Sequence, residues 1–216
     1  MKPVIAIDGT AGSGKGALAK AIAADLGFAY LDTGKLYRYV GCYCAQHCDT
    51  HPNEDIAHEA INHLMQSDVQ KLSEMPELLQ EDVGELASLY SAQSSVRDAL
   101  FDLQRNFAKN SSLPGAVLDG RDIGTVICPE ASVKIFVDAK SEIRAQRRTA
   151  QLQAAGIPAI YAQVLHTMQQ RDQRDTSREQ APLKTADDAV ILDTSDDTLQ
   201  QSLQKVMHHI KACLRA

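Results

Sequence analysis

Val4-Ile5-Ala6-Ile7-Asp8-Gly9-Thr10-Ala11-Gly12-Ser13-Gly14-Lys15-Gly16 is the stretch from which the rest of this chain can be read. A continuous apolar run that ends in Asp8 suits a strand buried on both faces of a parallel sheet. After Lys15 the apolar spacing changes to four, with Leu18, Ile22 and Leu26 in line and Gly27 as a stop, so a helix follows. Between the two lies a glycine-rich turn whose backbone N–H groups can face inward at phosphate oxygens, with Lys15 reaching the terminal phosphates and the helix adding its positive end. Strand, glycine loop and helix in that order predict a site for a polyphosphate nucleotide. Gly9, Thr10, Ala11, Gly12, Ser13, Gly14, Lys15, Gly16 and Ala17 are its expected binding residues.

The same alternation continues along the chain. Strands are expected at 28–32, 116–119, 133–138 and 189–193, and helices at 35–47, 54–65, 77–90, 95–107, 141–155 and 159–174. A closing helix carries Leu199, Leu203, Val206, Ile210 and Leu214 on one stripe. This order predicts an α/β fold, a P-loop-type parallel sheet flanked by helices, with ligands at the carboxyl ends of the strands.

Length and composition bound the function. At 216 residues, with 44% hydrophobic and 23% charged residues, the chain fits one domain with movable appendages. A formal net charge of −6 argues against a nucleic-acid or membrane partner, so any anion site must be local. The N-terminal apolar run is too short for a signal peptide, and five cysteines suit reduced thiols; a cytoplasmic location is expected. Cys42-x-Cys44-x2-His47-Cys48-x2-His51 lacks the usual zinc spacing, and no metal-ligand set is expected.

Arginine placement is uneven. Nine of the eleven arginines fall between Arg97 and Arg178, where only Lys109, Lys134 and Lys140 interrupt them. The planar guanidinium holds phosphate oxygens in pairs, which suits a place where two phosphate groups meet, although solvated helix faces use Arg as well. In a helix, Arg171, Arg174 and Arg178 share one face; they form either a salt-bridged surface in which Asp175 pairs with Arg171, or a lid that closes on a transferring phosphoryl group. Gly120-Arg121-Asp122-Ile123-Gly124-Thr125 follows a strand end and offers an anion binder beside an acceptor for an amino or hydroxyl group. Asp119 is alternatively placed to order magnesium-bound water. Thr33 and Arg38 either meet a second phosphate or serve as a helix cap and an exposed cation.

Together these residues resemble the bacterial cytidylate kinase family, within the nucleoside monophosphate kinases. The resemblance runs through Ile7 to Gly16, Leu31-Asp32-Thr33-Gly34 with Tyr37-Arg38, Val96-Arg97, Asp119 to Val126, Lys134-Ile135-Phe136, Arg171 to Arg178 and Ala181-Pro182-Leu183. It implies transfer of the γ-phosphoryl of ATP to CMP or dCMP with Mg2+. Thr33, Arg38, Arg97, Arg121 and Asp122 would hold the acceptor, with Asp122 on the cytosine amino edge, and Asp175 and Arg178 would reach it from the lid side. Lys15, Arg147, Arg148, Arg171 and Arg174 would stabilise charge, and no general base is required. It further implies a single domain over 1–216 acting as a monomer. Its core is expected at 1–50, 95–145 and 182–216, an acceptor-binding region at about 33–110 and a lid at about 147–181.

Three departures stand out. Ala17 replaces the family's usual Thr, which leaves Ser13 to supply a hydroxyl or turnover to be slow. Thr10 replaces a common Pro, and residues 52–94 read as helical where many relatives carry a small β insert. A non-catalytic nucleotide binder is the competing reading. A GTPase switch lacks its Asn-Lys-x-Asp segment, and RNA binding conflicts with the net charge.

Overall fold

The computed structural model describes residues 2–215, the side chain of Gln70 apart; Met1 and Ala216, included in the expected domain, lie outside the described residues. Five strands form one parallel sheet among the described residues: β1 (Val4–Gly9), β2 (Ala29–Asp32), β3 (Ala116–Gly120), β4 (Val133–Asp138) and β5 (Val190–Asp193), in the order β2-β3-β1-β4-β5. Register brings Asp8 opposite Gly120 and Asp32 opposite Asp119, so carboxylates gather at the carboxyl edge of the first three strands.

The continuous apolar run of β1 is explained by two cores. Ile5 and Ile7 face α1 (Lys15–Leu26) and α8 (Leu199–Cys213), packing with Leu18, Ile22, Val206 and Ile210. Ala6 faces the opposite side, where Leu36, Val40, Ile61, Leu64 and Leu100 come from α2 (Thr33–His47), α3 (Glu54–Met65) and α5 (Ser94–Asn110). Each fully buried Leu or Ile contributes roughly 1.5–3 kcal/mol of transfer free energy. A third, smaller cluster of Ala145, Leu152, Val164 and Met168 joins α6 (Ser141–Ala154) and α7 (Tyr161–Ser177) to Ala11 of the phosphate loop.

Local chemistry sets the boundaries. Gly14 (φ 88°) and Gly27 (φ 65°) adopt the left-handed conformation at the two ends of α1. Helix α2 begins two residues earlier than expected, because the Asp32 carboxylate caps it by accepting from Lys35 N at 3.3 Å. The helix expected at 77–90 is two pieces. Gln80 is extended (φ −60°, ψ 149°) and separates a 3₁₀ turn, Pro76–Leu79, from α4 (Glu81–Tyr90). A further 3₁₀ stretch, Val69–Glu74, fills ground without apolar periodicity, and no strand occurs among the described residues of 52–94. The loop expected after β3 contains a π-turn, Ile123–Ile127.

Gly9 fits its place only as glycine. Its φ is 152°, and a Cβ there would lie 1.9 Å from the carbonyl oxygen of Val137 on the neighbouring strand. Gly9→Ala is expected to cost at least about 3 kcal/mol of stability by urea denaturation.

Candidate active site

At the carboxyl edge of the sheet a cavity of about 530 Å³ is lined by the phosphate loop, α2, α4, the turn after β3, and α6 and α7. Eleven Lys and Arg side chains face it against six Asp and Glu, in a chain whose overall charge is −6. The positive site is therefore local, as required.

One wall of the cavity is the glycine loop. Ala11, Gly12, Gly14, Lys15, Gly16 and Ala17 line the cavity, whereas Gly9, Thr10 and Ser13 do not. Gly9 joins β1 to β4, and the Thr10 hydroxyl donates to Asp138 Oδ1 at 2.7 Å. Ser13 is fully buried and its hydroxyl turns back to donate to Thr10 O at 3.0 Å. This corrects the expectation that Ser13 replaces the missing hydroxyl of Ala17. Burial, then the nearby Arg121, pushes the Lys15 ammonium below its ordinary range, with Asp119 and Asp32 opposing.

Asp119 shares this environment. Burial, reinforced by Asp32, raises its carboxyl to about 7 against the pull of Lys15, while Tyr30 OH donates to its Oδ2 at 2.6 Å. Tyr30 carries no signal of this role in the sequence, since the contact crosses from β2 to β3. Thr33 is not the cap of α2; its buried hydroxyl donates to Asp119 O at 2.8 Å and ties the helix to β3.

Elsewhere in the cavity, Arg97 is buried, pairs with Asp122, donates to Ser91 O at 3.1 Å and lies over the Tyr37 ring. Arg178 donates to the Ser91 hydroxyl at 3.1 Å and to Ala181 O at 2.8 Å, while its Nη2 is buried without a partner. Two cations thus converge on the C-terminal end of α4, the negative end of a helix. Arg121 Nε donates to Asp175 Oδ2 at 2.9 Å, and Ser88 donates to Asp175 Oδ1 at 3.2 Å. Burial works to raise Asp175, but Arg121 and Arg171 outweigh it and hold the carboxyl below the usual range. Burial likewise raises Asp122 despite the opposing pull of Arg97. Ser88 and Ser91 escaped the sequence reading because a serine in a helix carries no distinguishing pattern.

The expected triad of α7 divides. Arg171 and Arg174 lie in the helix, but Arg178 is its extended C-cap (φ −62°, ψ 142°), so the three do not form one helical face. Arg171 Nε is buried without a hydrogen bond, with Asp175 Oδ2 3.8 Å away, and burial together with Arg121 lowers Arg171 to about 10. Arg174 sits farther out, 4.0 Å from Glu85. Arg38 is no exposed cation: it donates to Leu78 O at 2.7 Å and Gln80 O at 3.1 Å, and burial lowers it to about 9. Adjacent Arg147 and Arg148 point apart. Arg147 donates to Thr194 Oγ1 at 2.9 Å beside the phosphate loop, and Arg148 to Glu81 and to Leu79 O, each at 2.6 Å. Lys15, Arg38, Arg121 and Arg178 nevertheless line one cavity, as the two-phosphate geometry demands.

Cys42 and Cys44 are buried free thiols; Cys48 Sγ lies 3.9 Å from His51 Nδ1, which is 3.0 Å from Tyr90 OH. Among the described residues no three His, Cys, Asp or Glu side chains are grouped to hold a metal, and no helix is long and apolar enough to cross a membrane.

A parallel sheet with strand order 2-3-1-4-5, a phosphate loop after its first strand and arginine-bearing helices over its carboxyl edge define a P-loop kinase fold. The structure of shikimate kinase from Bacteroides thetaiotaomicron shares this fold with a TM-score of 0.51 at 13% identity, covering 98% of this chain and 99% of that one. The family model for cytidylate kinase matches residues 5–212. Cytidylate kinase of Paramagnetospirillum magneticum is 48% identical over 197 residues, covering 91% of this chain and 92% of the relative. That of Rhodospirillum rubrum is 50% identical over 204 residues, covering 93% of each. The chain belongs to the cytidylate kinase family.

Asp119 gives the site a measurable signature. Its folded pKa lies above the ordinary 3.8, so the folded chain holds that proton more tightly than the unfolded one. The group's contribution is fullest below about 3.8 and is lost as pH rises to about 7. In EDTA, the stability of Asp119→Asn relative to wild type is expected to improve across that window, by urea denaturation. A difference independent of pH would show that Asp119 does not titrate there.

Proposed function

We propose that this chain transfers the γ-phosphoryl group of ATP to a phosphate oxygen of CMP or dCMP, giving ADP and CDP or dCDP. The observation that carries this reading is the single cavity in which the phosphate loop and Lys15 face Arg38, Arg97, Arg121, Arg171 and Arg178. The loop amides from Ala11 to Ala17 bind the ATP phosphates, with Lys15 on the terminal ones. Asp122 and Arg97 read the cytosine. Arg38, Arg121 and Arg178 hold the acceptor phosphate, Asp175 reaches the sugar side, and Thr33 braces the acceptor turn. In the reaction, an acceptor phosphate oxygen forms a bond to the γ-phosphorus as the bond from that phosphorus to the bridging oxygen breaks, and the electron pair leaves with ADP. The attacking oxygen is already anionic at neutral pH, so no general base is needed. Catalysis consists of positioning and electrostatic stabilisation. The buried nitrogens of Arg171 and Arg178 that make no hydrogen bond supply donors for the phosphate oxygens.

Mg2+ fits this site, because Asp119 and Asp32 place hard oxygen donors side by side at the strand ends next to Lys15. These two would hold its hydration shell, and the ion would neutralise charge on the ATP phosphates. Residues of about 147–181 act as the lid and about 33–110 as the acceptor region of one domain. One chain acts alone in this mechanism, and the five free thiols support a cytoplasmic setting in pyrimidine metabolism.

A coupled ADP-release assay over CMP, dCMP, UMP, AMP and GMP tests the reading. Turnover is expected with CMP and dCMP, and Lys15→Ala is expected to lower kcat at least about 100-fold. The lack of a hydroxyl at both Gly16 and Ala17 favours, as a second reading, a protein that binds both nucleotides without transfer. Binding of ATP and CMP without ADP release would establish it. Ala17→Thr is expected to raise kcat or tighten the Mg2+ dependence; unchanged kinetics would show that the hydroxyl is not needed here.

A further inference from the structure

Asp8 precedes the phosphate loop by one residue and does not line the cavity, yet its side chain is spent on the acceptor side. It is 5% exposed, and its two carboxylate oxygens accept from consecutive backbone amides, Ile123 N at 2.8 Å and Gly124 N at 2.7 Å. These amides open the π-turn that follows Arg121 and Asp122, a position where helical N–H groups lack partners within their own turn. Burial raises the Asp8 carboxyl to about 6 despite both hydrogen bonds, so retaining a charge here is costly. An apolar side chain would fill the space without that cost but leave two buried donors unsatisfied.

The turn is confined on its other side as well. A Cβ on Gly120 would meet Thr33 Oγ1 at 2.6 Å and Ile123 Cδ1 at 2.8 Å, and one on Gly124 would meet the Lys134 stem at 3.1 Å. Arg121 and Asp122 therefore project from a turn clamped between α2 and β4 and fastened at its base by Asp8. The fastening residue is the last but one of β1, whose next residue, Gly9, begins the phosphate loop.

We propose that Asp8 is a positioning residue for the acceptor nucleotide: by holding the Ile123 and Gly124 amides, it aims Arg121 and Asp122 at a fixed distance from the phosphate loop. The inference rests on the acceptor role assigned to Arg121 and Asp122. It gives one carboxylate of the donor strand a function in acceptor binding, and makes the spacing of the two ligands a property of β1.

Calorimetric titration of the full chain with CMP and, separately, with ATP tests this in wild type and Asp8→Asn. The asparagine retains one acceptor oxygen but presents an NH2 group to the second amide. Loss of that charge-assisted bond is expected to weaken CMP binding about tenfold, with ATP binding within about twofold of wild type. The KM for CMP should rise with it. Wild-type affinity for CMP in Asp8→Asn, or an equal weakening of CMP and ATP, overturns the inference while leaving the kinase reading intact. A wild-type chain that fails to bind CMP overturns the acceptor reading and the inference with it. Where Asp8→Asn does not fold, Gly124→Val prises the same joint from the turn's side. Selective loss of CMP affinity supports the proposal, and unchanged or parallel affinities overturn it.

Discussion

The structure depends on keeping mutually repelling guanidinium groups together inside one cavity, and buried carboxylates make that arrangement stable. Asp175 receives Arg121 and lies near Arg171, and Asp122 receives Arg97. Each pair is costly to desolvate and strongly destabilising to break from one side only. Carbonyl oxygens do the remaining neutralisation: Ser91 at the end of α4 takes Arg97 and Arg178, and Leu78, Leu79 and Gln80 take Arg38 and Arg148. The compensation is incomplete. Arg171 and Arg178 retain buried nitrogens that make no hydrogen bond, and Arg38 and Arg171 are lowered by burial and by neighbouring cations. A cavity under this electrostatic load favours polyanions, which explains how a chain of charge −6 accommodates phosphates.

The same kind of contact connects the helices that cover the cavity to one another. Arg148 links α6 to the break before α4, and Ser88 links α4 to Asp175 of α7. The extended Gln80 matters here, since it turns the carbonyls of Leu78 and Leu79 away from a continuous helix and leaves them to accept from Arg38 and Arg148. A single helix over 77–90 would have used those carbonyls internally. The break that apolar periodicity did not reveal is thus part of the site's wiring.

What the sequence discloses is what local patterns encode. The phosphate loop, all five strands and most helices follow from apolar period and glycine position, because those signals act over a few residues. The arginine-rich face was legible as a concentration of charge but not as geometry. Arg178 leaves the helix and acts through Ser91, and Arg147 and Arg148, neighbours in sequence, diverge to opposite parts of the cleft. Asp8, Tyr30, Ser88 and Ser91 were invisible because their partners lie elsewhere in the chain, or because their contacts are to backbone atoms that carry no residue identity.

Ala17 shows how such contacts alter the meaning of a motif departure. Along the chain, a missing hydroxyl beside the phosphates is a defect that Ser13 is the nearest residue to repair, but the Ser13 side chain is sealed inside the loop. Read across the sheet, the same neighbourhood contains the phenol of Tyr30 and the carboxylate of Asp119, which lie 3.7 Å and 3.4 Å from where a Cβ on Gly16 would stand. The polar groups that flank Gly16 therefore come from β2 and β3 and not from the loop's own helix. Those strands are fixed by their register and by the Thr33 tie to Asp119 O, whereas Ala17, on the exposed first turn of α1, has no polar group of its own to offer.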